Sequence, residues 1–186
     1  MAPRPPLAGL RVIESSPLGP GAITTHLADL GAEVIKVESP GGDYIREMTW
    51  PIVEGVSLLH LHVHRGKQSI VLDLRKPEAV AVYLDLVRGA DVVVEAMRPG
   101  SLAKRGLGFE ELRAVNPKIV FCNISGYGMT GPYKDLPAHG IAFDTWAGIL
   151  NVARDDEGFT YIPEHASMGM HAGPLFGALG ILAAVL

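Results

Sequence analysis

The segment VVVEAMRPGSLAKRGLG brings three basic side chains together directly after a run of apolar residues. Arg98, Lys104 and Arg105 lie within eight residues, beside a Pro–Gly turn. Guanidinium and ammonium groups next to exposed turn amides suit a phosphate or pyrophosphate group. Arg65 and Lys67, in the segment HVHRGKQS, add two further cations. From these residues alone, the alternative that all five are solvated surface charges stays open.

Three alternating histidines and one cysteine are further candidates for metal binding or nucleophilic chemistry. His60, His62 and His64 alternate in LHLHVHRG, and on a strand they would point to one face. Since no converging ligands or supporting polar groups accompany them, we expect no metal site. Cys122 lies inside an apolar segment and is expected to be an unreactive core residue.

The composition is ordinary for a globular domain and excludes several classes of protein. The chain has 186 residues, 48% of them hydrophobic, and a formal net charge of -4, so we expect one domain without general affinity for nucleic acid. One cysteine cannot form an internal disulfide, and MAPRPPLAGLRV lacks the apolar segment of a secretory signal, so we expect a cytoplasmic protein. The apolar run near residues 173–186 is shorter than the roughly 20 residues that span a bilayer. We therefore expect a buried helix and no membrane insertion.

Apolar segments alternate with helical ones along most of the chain, which predicts a parallel sheet covered by helices on both faces. The predicted strands cover residues 10–15, 33–39, 68–74, 91–96 and 118–126. Helices are predicted in AITTHLADLGA, KPEAVAVYLDLVRGA and FEELRAV, whereas SPGGDYIREMTWPIVEG is expected to be irregular. Ligands of such sheets bind beyond the carboxyl ends of the strands. The loops SSPLGPG, SPGGDYIR, EAMRPGSLAKRG and SGYGMTGPY are therefore the candidate binding loops.

Several motifs occur in an order that points to one family. These are LADLGAEVIKVESPGGDYIR, GKQSIVLDL, DVVVEAMRPGSLAKRGLGFEELRAVNPKIVFCNISGYGMTGP and GPLFGALGILAA. Together they resemble the class III coenzyme A transferase family (the CaiB/BaiF type), which includes formyl-CoA and carnitine-CoA transferases and α-methylacyl-CoA racemases. The resemblance runs from about residue 7 to residue 186. It implies a Rossmann-like α/β fold, incomplete relative to the family's interlocked two-domain fold, that binds a coenzyme A thioester across the carboxyl edge of its sheet.

The resemblance also implies which residues contact coenzyme A. Lys67 corresponds to a lysine near the adenosine and ribose phosphate, and Lys104 corresponds to a basic residue that faces the phosphates. The remaining implied contacts are Ala96, Met97 and Arg98 along the nucleotide and Pro137, Ala138, His139 and Gly140 along the pantetheine arm. Ser39 departs from the pattern, because some members place an arginine there against the adenine.

The position of the family's nucleophile is occupied by a residue that cannot react. Transferases of the family place an aspartate ten residues before the glycine of GILAA, where this chain has Met170, and that aspartate forms a mixed anhydride with the acyl group. The nearest carboxylate in the sequence is Glu164. His139 matches the racemases' catalytic histidine in its spacing, and an imidazole can exchange the proton at an acyl α-carbon. Gly140 replaces the aspartate that normally follows that histidine, and His171 is a second candidate acid or base.

We therefore expect an acyl-CoA-binding protein that carries out CoA transfer or α-proton chemistry. The first alternative is a non-catalytic CoA-binding subunit or half-domain that pairs with an active partner, and the second is an interaction module that no longer binds ligand. Members of the family are about twice as long as this chain. The resemblance thus implies that residues 7–186 are the amino-terminal portion, and that the chain is a fragment, forms a homodimer, or pairs with a chain that supplies the rest.

Overall fold

The computed structural model describes residues 3–137, 139–164 and 167–186. Its strands, in chain order, are β1 (Arg11–Ser15), β2 (Glu33–Glu38), β3 (Pro51–Val53), β4 (Val56–Ser57), β5 (Gln68–Val71), β6 (Val92–Glu95), β7 (Val120–Asn123), β8 (Ala153–Arg154) and β9 (Thr160–Tyr161). Its α-helices are α1 (Ala22–Asp29), α2 (Leu58–His64), α3 (Pro77–Arg88), α4 (Phe109–Val115), α5 (Gly140–Trp146) and α6 (Met168–Val185).

Five of these strands form a parallel sheet in the order β5-β2-β1-β6-β7, which confirms the predicted α/β fold. Val12 on β1 pairs with Val34 on β2 and with Val92 on β6. The chain extends the sheet from β1 through β2 to β5, then crosses to the other side of β1 to add β6 and β7. Because the strand order reverses between β1 and β6, the loops that leave these two strands diverge and open a crevice.

Both faces of the sheet are buried, which explains the continuous apolar sequence of strands such as β6. Ile13 and Val93 point to the face covered by α3 and α4, where Tyr83 and Leu112 are fully buried. The alternate residues of the same strands point to the other face, which α1 and α6 cover around Ile23. These two cores fix the sheet that positions the loops at its carboxyl edge.

Two segments differ from the sequence-based expectation. The region predicted to be irregular contains a 3₁₀ helix, Tyr44–Glu47, and the antiparallel hairpin of β3 and β4. The strand predicted over residues 68–74 ends at Val71, because the Asp73 carboxylate accepts the backbone N–H of Arg75 at 3.2 Å and closes a turn. Residues 72–75 therefore belong to the loop at the carboxyl end of β5.

The three alternating histidines lie on helix α2, so the strand geometry considered for them is wrong. The Ser57 hydroxyl caps this helix by accepting the backbone N–H of His60 at 3.0 Å. His60 and His64 are one turn apart, with ring centroids separated by 5.0 Å, and His62 lies on a different side. Among the described residues, no group of three or more His, Cys, Asp or Glu side chains is arranged to hold a metal ion.

The prediction of a buried helix near residues 173–186 is wrong, because helix α6 packs only one side against α1 and leaves much of its remaining surface exposed. A Cβ at Gly177 would lie 2.8 Å from the side chain of Ile23, so the glycine permits the close approach of the two helices. Phe176 and Leu179, which point away, are 74% and 60% exposed. By length and hydropathy alone α6 meets the requirement for a membrane span, a requirement that the core helices of globular proteins also meet.

Candidate functional site

Two clefts lie along the carboxyl edge of the sheet and meet at Pro17, in the loop that follows β1. The polar cleft, of about 400 Å³, is lined by the loops after β1, β2 and β5 and includes Arg75 and Arg105. The apolar cleft, of about 330 Å³, lies beside the loops after β6 and β7 and includes Phe143 and Met170. Both volumes fall in the range of small-molecule sites, roughly 300–1,000 Å³. The crevice predicted by the reversal of strand order thus holds two adjoining spaces.

Charged side chains of both signs line the polar cleft, and most of them are paired. Arg46 donates to Glu38 through two nitrogens, at 3.0 and 2.6 Å. Burial would raise the pKa of Glu38, but hydrogen bonds from Arg46, Ser69 and a backbone N–H lower it to about 2. Arg75 is paired with Asp73 at 2.7 Å, yet its side chain is 76% exposed and can turn toward a ligand. The polar cleft can therefore offer guanidinium groups to an anionic ligand.

A buried network of five ionisable residues lies beneath the loop between β1 and α1. We call it the buried charge network; its members are Glu14, Lys36, Asp43, His64 and Lys67. Lys67 Nζ lies 2.7 Å from Glu14 Oε2, and Lys36 Nζ lies 3.1 Å from Glu14 Oε1 and 3.0 Å from Asp43 Oδ2. His64 accepts from Lys67 at Nδ1 (3.0 Å) and contacts Asp43 through Nε2 (3.2 Å), an arrangement that suits a neutral imidazole.

Each pKa in this network is set by burial and by the paired charges. Burial would raise the pKa of Glu14, but the ammonium groups of Lys67 and Lys36 lower it below its ordinary value. Burial lowers the pKa of Lys67 to about 8, against the opposing effect of Glu14. The pKa of His64 is also lowered, chiefly by burial. With a neutral imidazole, two ammonium groups and two carboxylates sum to zero charge.

The buried charge network also fixes the loop that separates the two clefts. Lys36 donates to the carbonyl oxygen of Ser16 at 2.6 Å, and Lys67 donates to that of Gly21 at 2.7 Å. A Cβ at Gly21 would lie 2.7 Å from the His64 ring, so only glycine allows the loop to approach the network. Between these anchors Leu18 has a φ of 55°, a strained conformation for a residue with a side chain. The loop is held in a shape that it would not adopt alone.

Glu95, at the carboxyl end of β6, is a buried carboxyl group that no cation pairs with among the described residues. Its side chain accepts the backbone N–H of Met97 at 3.0 Å and a hydrogen bond from the Asn123 amide. Burial raises the pKa of Glu95 to about 7. Because Ala96 lines the apolar cleft and Met97 lines the polar cleft, Glu95 orients the turn that passes between them.

The apolar cleft is shaped by close contacts between glycines and larger side chains. A Cβ at Gly19 would lie 3.4 Å from Cγ of Met170, so Met170 lies directly against the loop after β1. A Cβ at Gly126 would lie 2.2 Å from the Phe143 ring, so the ring occupies the space that a side chain there would need. His139, Ser125 and Tyr44 contribute the polar side chains of the lining.

The carboxylate that serves the start of α6 comes from another helix. Asp144, on α5, is 2% exposed. Its Oδ1 accepts the backbone N–H of Gly169 at 2.9 Å, and its Oδ2 accepts the hydroxyl of Ser167 at 3.0 Å. A carboxylate here satisfies a free backbone donor and interacts favourably with the helix dipole. Asp144 therefore acts as a cap, and its side chain is not part of the lining of the apolar cleft.

The structure places the sequence-predicted residues in different surroundings. Met97 lines the polar cleft, whereas Ala96, His139 and Gly140 line the apolar cleft together with Met170. Outside both linings lie Arg98, Lys104, Pro137, Glu164 and His171, all of them exposed. The ammonium group of Lys67 is buried in the charge network, and Ala138 lies outside the described residues. The predicted contacts of these residues with coenzyme A stay predictions.

Two features of the clefts were missed from the sequence, and a third was recognised only in part. Arg75 was overlooked because it falls between the strand predicted over residues 68–74 and the next predicted helix, although the turn-forming Asp73 before it is a signal for a loop. Arg105 was noted as a cation but not as the residue that lines the polar cleft. The buried pairing of Glu14 with Lys67 gave no local signal, because the two residues are 53 positions apart.

Comparisons with known proteins agree with this architecture. Residues 7–186 match the sequence model of CoA-transferase family III, and the chain belongs to this family. A succinate–glutarate CoA-transferase from Agrobacterium fabrum is 44% identical over 164 residues, which cover 83% of this chain and 41% of that protein. The β subunit of a succinyl-CoA–L-malate CoA-transferase from Chloroflexus aurantiacus is 36% identical, over 97% of this chain and 45% of that protein.

Solved structures show the same fold. A CAIB/BAIF family protein from Brucella suis has a TM-score of 0.87 and 34% identity, over 98% of this chain and 50% of that one. A hypothetical protein from Mycobacterium tuberculosis has the same TM-score, with 35% identity over 97% of this chain and 50% of that one. The chain thus spans about half the length of the relatives that it matches. The family prediction and the predicted fold are both confirmed.

Proposed function

We propose that this chain binds a coenzyme A thioester along the carboxyl edge of its sheet, with the nucleotide in the polar cleft and the acyl group in the apolar cleft. The observation that carries this proposal is the meeting of the two clefts at Pro17, one bordered by arginines and the other by apolar side chains. A CoA thioester has the same two-part character, since a phosphorylated nucleotide is joined by a long arm to an acyl group. The family assignment supports the same ligand.

The phosphates of coenzyme A are the groups that the cations of this edge would hold. Arg75 and Arg105 line the polar cleft. Arg98 and Lys104, which are close to Arg105 in the sequence, are exposed. Neither side chain makes an ion pair with a described residue. Guanidinium groups bind phosphate oxygens through two parallel hydrogen bonds, so we propose that Arg75 leaves Asp73 to bind a phosphate.

The chemistry we propose is CoA transfer or exchange of the acyl α-proton, within the general activity of the family. His139 lines the apolar cleft beside Met170, where an imidazole can reach the α-carbon of a bound acyl group. Met170 stands where the sequence resemblance places the aspartate of the transferases, and a thioether cannot form the anhydride. Transfer through this chain alone would therefore need another group.

The second candidate function is a CoA-binding subunit that is not catalytic by itself. It is favoured by the engagement of both Asp144 oxygens in capping α6, which leaves no described carboxylate in the lining of the apolar cleft. Two relatives from Chloroflexus aurantiacus are named as α and β subunits of one transferase. We propose that this chain likewise associates with a second copy or a partner chain, in the cytoplasm, through the exposed side of α6 that includes Phe176 and Leu179.

Thermal unfolding with coenzyme A and butyryl-CoA tests the binding proposal. A ligand at 100 times its Kd stabilises the folded state by about 2.7 kcal/mol, so a clear rise in Tm is expected for both ligands. Arg88 is exposed on α3 and paired with Asp85, which makes Arg88→Ala a control that should keep the full rise. Unchanged Tm at millimolar coenzyme A would refute the proposal.

Two further measurements separate the chemistries. Incubation of the native protein with butyryl-CoA in deuterated water is expected to give an α-deuterated product, and His139→Ala is expected to abolish this exchange. If the chain is a non-catalytic subunit, neither the native protein nor the variant will show exchange.

Met170→Asp places a carboxylate beside the bound thioester. The new carboxylate is expected to attack the thioester carbonyl and displace the CoA thiolate, which forms a mixed anhydride. The thiolate then attacks the enzyme carbonyl of the anhydride and releases butyrate, which leaves an enzyme thioester that adds the mass of CoA less water.

A further inference from the structure

We infer that the apolar cleft selects acyl groups that carry no charge at their far end, so the substrate class is a monocarboxylic acyl-CoA and not a dicarboxylic one. This inference rests on the proposed function, because it assumes that the acyl group enters this cleft. Among the described residues that line the cleft there is no lysine, arginine, aspartate or glutamate. A second carboxylate on the acyl group would thus meet no counter-ion from the described lining.

The polar groups of the lining cannot replace a counter-ion. The lining offers the Ser125 and Tyr44 hydroxyl groups and the imidazole of His139. Hydroxyl groups donate one hydrogen bond each and carry no charge, so a carboxylate placed against these walls would lose hydration that the hydroxyl groups only partly replace. An imidazole, unlike a guanidinium or ammonium group, is not a permanent cation.

The cations closest along the loop are already neutralised. Lys36 and Lys67 anchor the loop that forms one wall, but they are paired with Glu14 and Asp43. With both lysines charged the buried charge network sums to zero, and loss of the proton of Lys67, whose pKa is lowered to about 8, would make it negative, so the network offers the cleft no net positive charge. On the opposite side, Glu95 precedes the lining residue Ala96 and adds negative charge when ionised.

The remaining walls suit a hydrocarbon chain. Leu18 and Ile124 line the cleft, with the Phe143 ring and the Met170 thioether at its other sides. Burial of methylene groups against such side chains is favourable in proportion to the apolar area removed from water. A terminal methyl group would gain from this contact, whereas a terminal carboxylate at the same position would lose the part of its hydration that the apolar walls displace.

The test compares butyryl-CoA with succinyl-CoA, which have the same number of acyl carbons and differ in a terminal methyl or carboxylate. The full-length protein, in the assembly in which it is purified, is titrated with each at pH 8, with free coenzyme A as the reference. Butyryl-CoA is expected to bind at least tenfold more tightly than succinyl-CoA, and also more tightly than coenzyme A. Equal or tighter binding of succinyl-CoA would overturn the inference. Failure of coenzyme A and both thioesters to bind would instead refute the proposed function and the inference with it.

A pair of variants locates the selectivity in the apolar cleft. Ser125 lies just after β7, and its hydroxyl makes no side-chain hydrogen bond with any described residue, so replacing it removes no such contact. Ser125→Lys adds an ammonium group to the lining and is expected to shift the ratio of the two Kd values toward succinyl-CoA by at least tenfold. Ser125→Met, of similar length but uncharged, is expected to leave the preference for butyryl-CoA. An unchanged ratio in the lysine variant would show that the acyl end lies elsewhere and would overturn the inference.

Discussion

The two clefts share Pro17 and the edge of one sheet, but they treat charge in opposite ways. Around the polar cleft, Glu38, Asp43 and Asp73 are each paired with a cation. The described lining of the apolar cleft has no Lys, Arg, Asp or Glu, and its neighbour Glu95 is buried without a cation among the described residues. One loop separates the two sites here because the charged groups beneath it are paired with one another. These paired groups form the buried charge network.

The largest expected effect follows from removing one ammonium group from the buried charge network. Lys67→Met would leave Glu14 buried with one ammonium partner and would release the carbonyl of Gly21, so we expect a loss of about 3–5 kcal/mol in the free energy of unfolding. Arg65→Met is the matched control, because Arg65 is paired with Asp29 on the surface and should cost less than about 1 kcal/mol. Urea unfolding of both variants measures the difference. Equal losses would mean that the network does not hold the loop.

The second prediction concerns the carboxyl group of Glu95 that lies between the clefts. Since folding raises its pKa from 4.5 to about 7, the folded protein keeps a proton that the unfolded chain releases. Its contribution to stability is therefore complete below pH 4.5 and is lost as the pH rises through 7. A glutamine cannot ionise, so Glu95→Gln does not lose stability as the pH rises. The free energy of unfolding of this variant should exceed that of the native protein by about 2 kcal/mol at pH 8, with little difference at pH 5. A gain that is the same at both pH values would contradict a titrating Glu95.

The third prediction alters the shape of the apolar cleft without adding charge. Gly126→Ala forces the Phe143 ring to move, because the new Cβ would lie 2.2 Å from it. We expect a loss of about 1–2 kcal/mol in stability and weaker binding of butyryl-CoA, with the affinity for free coenzyme A preserved. Gly180→Ala on α6 meets no atom within 4 Å and serves as a control that should be neutral or slightly stabilising. Weakened binding of free coenzyme A would argue against separate roles for the clefts.

The smallest effect is expected at the rim of the polar cleft. Arg75→Ala should weaken the binding of coenzyme A about tenfold, or roughly 1.4 kcal/mol, because one phosphate contact is lost. The ratio of affinities for butyryl-CoA and succinyl-CoA should not change, since Arg75 lies in the other cleft. Titrations at low and high salt add a check, as the difference between variant and native protein should shrink with screening. A changed ratio would mean that Arg75 contacts the acyl group.

Sequence patterns predicted the sheet well and the site only in outline. Runs such as VVV in β6 indicate strands buried on both faces, and the reversal of strand order then fixes where a ligand can bind. Ala96, Met97, His139 and Gly140 were placed at that edge by the resemblance, and all four line one of the clefts. Arg98 and Lys104 could not be placed in the same way, because the direction of a side chain on a loop depends on contacts with distant segments.

The sequence was enough to establish the order of the elements, the family, and the absence of a carboxylate at position 170. These follow from local periodicity, turn residues and motif spacing, which act over a few neighbouring positions. The tertiary structure was needed to show that Lys67 is buried against Glu14, that Asp144 caps α6, and that Pro17 divides a charged cleft from an uncharged one. Each of these depends on which distant side chains share a low-dielectric space, where the energy of a charge is set by its partners.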